Sequence, residues 1–286
     1  MSDVNEQMEV DSGNKLFWDE LCGSALAKFL EINDASPESL KKFDDYYMDY
    51  YPYLDKYLSA EQFKDKTVLE VGLGYGTLAN YLAKSCKHYS GLDIAKNAVA
   101  MTNHRISENN LSGEAEVGSI LNHTFPENHF DFIVSIGCFH HTGNMQRCID
   151  QTYKFLKPGG KAIIMVYNQF SLRQWVNWPK STGKSLINQL VQRPKKEHSS
   201  EEQRLAYDAS TDGEIAAPET VFYSKHDIHK IFSQFKSVQI TRENFDDQFT
   251  VNFCNIRNIN FGLRTSRLSG FWAQKFGLDL YIEATK

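Results

Sequence analysis

Two different periods of hydrophobic and polar positions divide this chain. Between residues 17 and 63, apolar and aromatic side chains recur at the three- and four-residue spacing of amphipathic helices, and Pro52 interrupts the pattern. From Lys66 onward, short apolar runs typical of buried strands alternate with helical patterns. We therefore expect a helical prelude over residues 15–64, followed by an α/β region.

Seven short runs are predicted as strands, and helix-length segments separate most of them. Strands that alternate with helices pair in parallel, because a crossover helix returns the chain to the same end of the sheet. The sequence thus predicts an α/β fold with a doubly wound, mostly parallel seven-stranded sheet and helices on both faces. The predicted strands cover residues 67–71, a strand ending at 92–94, 114–117, 132–136, 162–167, 238–241 and 280–284.

Two segments lie outside this alternation. Residues 1–14 are polar and acidic and have little apolar surface to bury, which predicts a disordered tail before a single domain over residues 15–286. Residues 168–217 form a long polar insertion directly after the fifth predicted strand, with short helical patterns at 186–191 and 201–209. Connections of this length are usually functional in a compact domain, so we expect a helical lid here.

A glycine-rich turn follows the first predicted strand, where residues 68–76 read VLEVGLGYG. Glycines let the backbone turn sharply and approach a ligand, and the N-terminus of the next helix favours a negative group. The dinucleotide fingerprint needs another small residue where Thr77 stands, which disfavours a nicotinamide dinucleotide. Glu70 ends an otherwise apolar strand, where a carboxylate is costly unless it is paired, so a cationic group of the ligand would explain it.

These motifs resemble the class I S-adenosylmethionine-dependent methyltransferases. Four elements follow the order of that family: the glycine turn, Asp93 at the end of the second strand, FDFIV at 130–134 and LKPGG at 156–160. The resemblance implies S-adenosylmethionine as cofactor, S-adenosylhomocysteine as product and in-line methyl transfer to a small molecule. It also implies that Asp93 binds both ribose hydroxyls, for which a carboxylate has two acceptor oxygens, and that Glu70 helps hold the amino-acid end.

The resemblance extends to the other cofactor contacts, with one departure. Relatives often carry an acidic residue after the third strand that accepts from the adenine amino group, and Ser119 stands there in this chain. A serine oxygen also accepts hydrogen bonds. The predicted cofactor-binding residues are Glu70, Gly72, Leu73, Gly74, Gly76, Asp93, Ile94, Ser119, Ile120, Ser135 and Ile136.

Residues 135–142, which read SIGCFHHT, follow the fourth predicted strand at the sheet edge where ligands bind. They lack the Asn/Asp-Pro-Pro-Tyr/Phe and Pro-Cys motifs of enzymes that methylate nucleobases, and they resemble small-molecule methyltransferases. His140 and His141 are the candidate catalytic residues, as general bases that titrate near physiological pH. Alternatively, they cap the next helix or pack against the sulfonium end, because transfer from a sulfonium depends mainly on alignment.

The acceptor pocket is predicted from the helical prelude and the first residues of the lid. The prelude carries a cluster of tyrosines, whose aromatic faces suit a sulfonium cation. Arg173 would suit a carboxylate or phosphate on the acceptor. Alternatively, Arg173 is a surface residue and Trp175 only anchors the lid to the body of the domain. The predicted acceptor-binding residues are Tyr47, Tyr51, Tyr167, Asn168, Arg173 and Trp175.

Composition narrows the classes of function. A net charge of -5 disfavours binding to nucleic acid or to an anionic membrane. No apolar signal segment or membrane span is recognisable, and five widely spaced cysteines without a CxxC pair fit a reducing compartment with neither disulfides nor a metal site. We expect a cytoplasmic enzyme whose partner is a small-molecule methyl acceptor. The alternatives are a catalytically silent cofactor-binding protein and a nicotinamide-dependent oxidoreductase.

Overall fold

The computed structural model describes residues 2–20, 23–193, 199–245 and 268–286. Its centre is a sheet whose seven strands are β1 (Thr67–Val71), β2 (His88–Asp93), β3 (Gly113–Val117), β4 (Phe130–Ile136), β5 (Leu156–Tyr167), β6 (Ser237–Glu243) and β7 (Asp279–Thr285). The strand order is β3-β2-β1-β4-β5-β7-β6. The predicted fold class, a doubly wound and mostly parallel seven-stranded sheet, is confirmed.

β7 is the strand that runs against its neighbours. β1 to β5 pair in parallel, whereas β7 lies between β5 and β6 and is antiparallel to both. The last residue of β5, Tyr167, is therefore opposite the first residue of β7, Asp279. As a result, the carboxyl ends of the parallel strands and the amino end of β7 meet at one edge of the sheet.

Helices cover both faces of this sheet because strand side chains alternate between the faces. Leu69 and Ile133 belong to one buried cluster, while their neighbours Val68 and Phe132 belong to the other. The helices of the α/β region are α6 (Thr77–Ser85), α7 (Lys96–Glu108), α8 (Met145–Phe155) and α12 (Lys225–Ile231). The first two pack with the cluster of Val68, and the other two pack with the cluster of Leu69.

The prelude is helical, as the sequence predicts. Its helices are α1 (Ser2–Trp18), α2 (Ser24–Phe29), α3 (Pro37–Tyr50), α4 (Leu54–Tyr57) and α5 (Ala60–Phe63). Ser36 caps α3 by accepting from the backbone N–H of Ser39, and Pro37 occupies the first turn, where its missing N–H is harmless. α3 ends at Tyr50, two residues before Pro52.

The first helix differs from the expected disordered tail over residues 1–14. α1 lies against the segment after β4, where Asn14 is buried and donates to the carbonyl of His141 at 2.6 Å. Gln7 donates to the carbonyl of Thr142 at 2.8 Å, and the Trp18 ring lies 4.9 Å from the His141 ring. Polar side chains make several of these contacts, so a count of apolar residues does not reveal them.

The insertion after β5 contains three helices, α9 (Leu172–Asn177), α10 (Pro179–Leu190) and α11 (Glu201–Tyr207). A reciprocal capping box between Ser200 and Gln203 starts α11. A further helix, α13 (Phe271–Phe276), precedes β7. None of the helices in the described ranges is long and apolar enough to cross a bilayer.

One predicted turn is wrong. The sequence predicts that residues 157–160 form a turn before a strand at 162, because Pro158 and two glycines stop helices. Instead, β5 begins at Leu156, which pairs with Phe130 before the register shifts. Gly159 lies at this irregularity and has a left-handed φ of 79°, a conformation that glycine adopts without a steric cost.

Candidate active site

A cavity of about 970 Å³ opens at the sheet edge where the parallel strands end. The predicted residues that line it are Tyr47, Tyr51, Glu70, Gly72, Leu73, Gly74, Asp93, Ile94, Ser119, Ile120, Ile136, His141, Tyr167 and Arg173. A cavity of this size suits a cofactor together with a small second ligand.

The glycine turn fits tightly against the segment after β4. Gly72 has a φ of 85°, and a Cβ atom built on it would lie 2.4 Å from the Cβ of Cys138. Its N–H donates to the carbonyl of Leu92 at 3.0 Å, which joins the turn to β2. No side chain fits at this position without displacing Cys138, so the glycine keeps the loop beside the cavity.

Asp93 holds the glycine turn in place from the end of β2. Its Oδ2 atom accepts from the N–H of Leu73 at 2.7 Å, and its Oδ1 atom accepts from the N–H of Ala95 at 2.8 Å. Burial raises the pKa of this carboxyl, and the backbone hydrogen bonds oppose the rise. Asp93 also lines the cavity, where its carboxylate can meet hydroxyl donors of a ligand.

Glu70 is a buried carboxyl at the cavity wall. Its side chain accepts from the hydroxyl of Tyr89 at 2.7 Å, and no described ion pair includes it. Burial raises its pKa to about 8, with the Tyr89 hydrogen bond opposing the shift and Asp93 adding to it. A cation bound in the cavity would favour the charged form, which is the pairing that the sequence predicts.

The two candidate catalytic histidines occupy different environments. They lie in a 3₁₀ turn (Phe139–His141) after β4, with their ring centroids 4.1 Å apart. His141 lines the cavity, whereas His140 lies behind it and is fully buried. Burial lowers the pKa of His140 well below its usual value, and His141 adds to the effect. Of the two, His141 is therefore the one that a ligand can reach.

A tyrosine–aspartate pocket, defined here as Tyr47, Tyr51, Tyr53, Asp279 and Tyr281, forms another part of the wall. The rings of Tyr51 and Tyr53 lie 6.0 Å apart, and those of Tyr53 and Tyr281 lie 5.5 Å apart. The Tyr53 hydroxyl donates to Asp279 at 3.2 Å. Burial raises the pKa of Tyr53 and of Tyr281 well above the usual value, so both phenols stay neutral at physiological pH.

Several predicted residues lie outside the cavity wall and make contacts within the fold. Ser135 donates to the carbonyl of Val71 at 2.9 Å, and Asn168 donates to the carbonyl of Gly277 at 2.7 Å. The ring of Trp175 stacks on Phe170, 6.3 Å away. The predicted residues outside the wall are Gly76, Ser135, His140, Asn168 and Trp175.

The sequence did not single out some residues of the wall. Asp279 is a buried acid at the start of an apolar strand, a signal of the same kind as that of Glu70. Asp208 follows α11 in the insertion, and nothing in its surrounding sequence marks it. Other wall residues that the sequence did not single out are Asp11, Asn14, Trp18, Tyr207 and Tyr281.

Comparison with known families agrees with this geometry. Residues 69–164 match a family model described as a methyltransferase domain. The matched segment runs from β1 into β5 and contains the glycine turn, Asp93 and both histidines. The matched domain and the relatives below support a class I S-adenosylmethionine-dependent methyltransferase, the family that the sequence motifs resemble.

Individual relatives match only part of the chain. The phosphoethanolamine N-methyltransferase of Plasmodium falciparum is 32% identical over 157 residues, which are 51% of this chain and 59% of that protein. A ubiquinone biosynthesis O-methyltransferase of Coxiella burnetii is 27% identical over 154 residues, which are 49% of this chain and 66% of that protein. The chain thus spans less than two thirds of the length of either relative.

A solved structure shares the fold over most of the chain. It is phosphoethanolamine N-methyltransferase 2 of Haemonchus contortus, in complex with phosphomonomethylethanolamine and S-adenosylhomocysteine. The TM-score is 0.52 at 15% identity, with 83% of this chain and 52% of that chain covered. At this identity the likeness shows the fold alone.

Proposed function

We propose that this chain is an S-adenosylmethionine-dependent methyltransferase that methylates the nitrogen of a small amine. The observation that carries the proposal is the excess of acidic over basic side chains in the cavity wall. Its described residues include one guanidinium, that of Arg173, and a larger set of carboxyl groups. These carboxyl groups belong to Asp11, Glu70, Asp93, Asp208 and Asp279. A wall with this excess of acidic groups favours positively charged ligands.

Two of these carboxyl groups suit the cofactor. Glu70 would pair with the ammonium of its amino-acid end, which would offset the burial that raises the pKa of Glu70 to about 8. Asp93 would accept from the ribose hydroxyls, because its carboxylate lies in the cavity wall. When bound, S-adenosylmethionine supplies a methyl group already activated on a sulfonium.

The tyrosine–aspartate pocket suits the acceptor. Neutral phenol rings present aromatic faces that attract an ammonium group. The Asp279 carboxylate among them would accept the proton that the nitrogen must lose before it attacks the methyl group. The pocket would thus select an amine over an alcohol of the same size. The names of the phosphoethanolamine N-methyltransferase relatives agree with an amine acceptor.

Release of S-adenosylhomocysteine tests the proposal with three matched acceptors: ethanolamine, phosphoethanolamine and ethylene glycol. We expect turnover with an amine and none with the diol. Asp279→Asn should lower kcat/KM for the amine by roughly 10- to 100-fold, the scale of losing a hydrogen bond to a charged group. Glu283→Gln is the matched control, since Glu283 lies on the same strand but outside the cavity wall.

Other outcomes separate the alternatives. Turnover of hydroxyl acceptors without any amine turnover would contradict the amine assignment. Calorimetric binding of S-adenosylmethionine without turnover of a broad acceptor panel would support the catalytically silent alternative. Binding of a nicotinamide dinucleotide, with no heat from either sulfur ligand, would contradict the cofactor assignment as well.

A further inference from the structure

The hydrogen bonds of His141 determine which ring nitrogen carries its proton. Nδ1 lies 2.7 Å from the carbonyl oxygen of Glu219, and a carbonyl oxygen only accepts. Nδ1 is therefore the donor, and in the neutral ring Nε2 carries a lone pair. That lone pair is 3.7 Å from the Oδ2 atom of Asp208. This contact is favourable if one of the two atoms carries a proton, or if a cation is bound between them.

Two neighbouring side chains have polar atoms with no assigned partner. Both ring nitrogens of His140 and the Oδ2 atom of Asp208 are buried and lack a hydrogen-bond partner within the described part of the chain. Leaving such an atom unsatisfied costs about 1–3 kcal/mol. One ligand atom from each of His140, His141 and Asp208 lies within 4.8 Å of the others. The unsatisfied atoms thus converge on one place.

We propose that His140, His141 and Asp208 bind a divalent first-row metal ion of the Zn²⁺ type. Two imidazoles and a carboxylate form a ligand set used by catalytic zinc and non-haem iron sites. Zinc ligands at 2.0–2.1 Å from the metal lie about 3.3 Å apart in a tetrahedron, so His141 and Asp208 need little movement to reach it.

The surroundings of the three residues support the assignment. Metal-binding histidines usually donate their other N–H to a backbone carbonyl, as His141 does to Glu219. The hydroxyl of Tyr167 donates to Oδ1 of Asp208 at 3.0 Å, which orients the carboxylate.

The site opens toward the cavity. His141 and Asp208 line the cavity wall, while His140 lies behind them. A fourth coordination position would therefore face the cavity and take water or a heteroatom of the acceptor. In this arrangement His141 is a metal ligand and is not available as a general base.

Metal titration of chelator-treated full-length protein, with no cofactor present, tests the inference. We expect Zn²⁺ to bind with a stoichiometry of one, and Co²⁺ to give a visible absorption band from the same site. Asp208→Asn keeps the shape of the side chain and removes its charge, and it should weaken Zn²⁺ binding by roughly 100-fold. His140→Gln should do the same, whereas His104→Gln, on the exposed side of α7, should bind like wild type.

Asp208→Asn tests the inference even if His140→Gln does not fold. Two results would overturn the inference. The first is wild-type protein that binds no stoichiometric Zn²⁺. The second is equal Zn²⁺ affinity in wild type, Asp208→Asn and His104→Gln. A change in the pH profile of kcat in Asp208→Asn, without metal binding by wild type, would instead make His141 and Asp208 a proton-accepting pair. None of these results bears on which acceptor is methylated.

Discussion

Asp44 on α3 pairs with the buried guanidinium of Arg105 on α7, with Nη1 2.9 Å from Oδ2 and 3.1 Å from Oδ1. The same carboxylate accepts from Thr77 at 2.8 Å and from Asn80 at 3.1 Å, both on α6. α3 also carries Tyr47, and α6 begins directly after the glycine turn. One carboxylate thus holds the acceptor side of the cavity against the cofactor side.

Asp44→Ala should destabilise the protein by about 3–5 kcal/mol, because it leaves the buried charge of Arg105 without its partner. Urea unfolding measures the change. Asp45→Ala is the matched control on the same helix. It breaks an exposed ion pair with Lys41, which lies one helical turn before Asp45, and such a pair contributes only about 0.3–0.5 kcal/mol to stability. Equal losses in the two variants would show that the Arg105 pair has no special role.

Cofactor binding at pH 7 should release a proton from Glu70, because burial raises its pKa to about 8 and the incoming ammonium lowers it again. Calorimetry in two buffers of different ionisation enthalpy measures the release. Glu70→Gln should bind more weakly and lose this proton release, whereas Glu114→Gln, exposed on β3, should retain both. Identical proton release in Glu70→Gln would assign the proton to another group.

The same shift predicts how the stability of the cofactor-free protein depends on pH. The folded state holds the Glu70 proton up to about pH 8, whereas the unfolded chain releases it near the ordinary glutamate pKa of 4.5. Unfolding in this window therefore releases a proton, and the contribution of Glu70 falls as the pH rises from 4.5 to 8. Thermal unfolding of Glu70→Gln should lack this decline.

Asn14→Ala should lower the stability by about 1–3 kcal/mol, because it removes the donor to the buried carbonyl of His141. Chemical unfolding measures this, with Lys15→Ala as the exposed neighbour on the same helix. Deleting residues 2–12 should likewise lower the melting temperature, the opposite of what a disordered tail implies. An unchanged melting temperature would mean that α1 does not hold the site together.

Arg173→Ala should raise KM for phosphoethanolamine by about tenfold or more and change KM for ethanolamine less, because a guanidinium binds a phosphate through two parallel hydrogen bonds. Arg173 lines the cavity, with its guanidinium 4.6 Å from the Tyr207 ring centroid. Cofactor affinity should stay as in wild type, and Arg193→Ala, an exposed site beyond α10, is the control. Equal increases for both acceptors would remove Arg173 from phosphate recognition.

The cofactor half of the site could be predicted from the sequence because its determinants are local. Glu70 and Asp93 lie in the last residues of β1 and β2, and Gly72 directly follows β1, so a short motif fixes both the backbone and the side chains. The acceptor half combines Tyr53, Asp208 and other residues that are distant in sequence, and only the folded chain brings them together. The docking of α1 rests on polar contacts, which leave no hydrophobic period to detect.

The reversed direction of β7 has a consequence for how this enzyme class can diversify. Because β7 enters the sheet at the edge where β5 ends, Asp279 reaches the cavity from the start of its strand. The predicted cofactor contacts come from the ends of β1, β2 and β4 and from the segments after β1, β2 and β3. If Asp279 binds the acceptor as proposed, mutations around it would alter acceptor preference while the cofactor motifs stay constant. The two halves of the site would then be free to evolve at different rates.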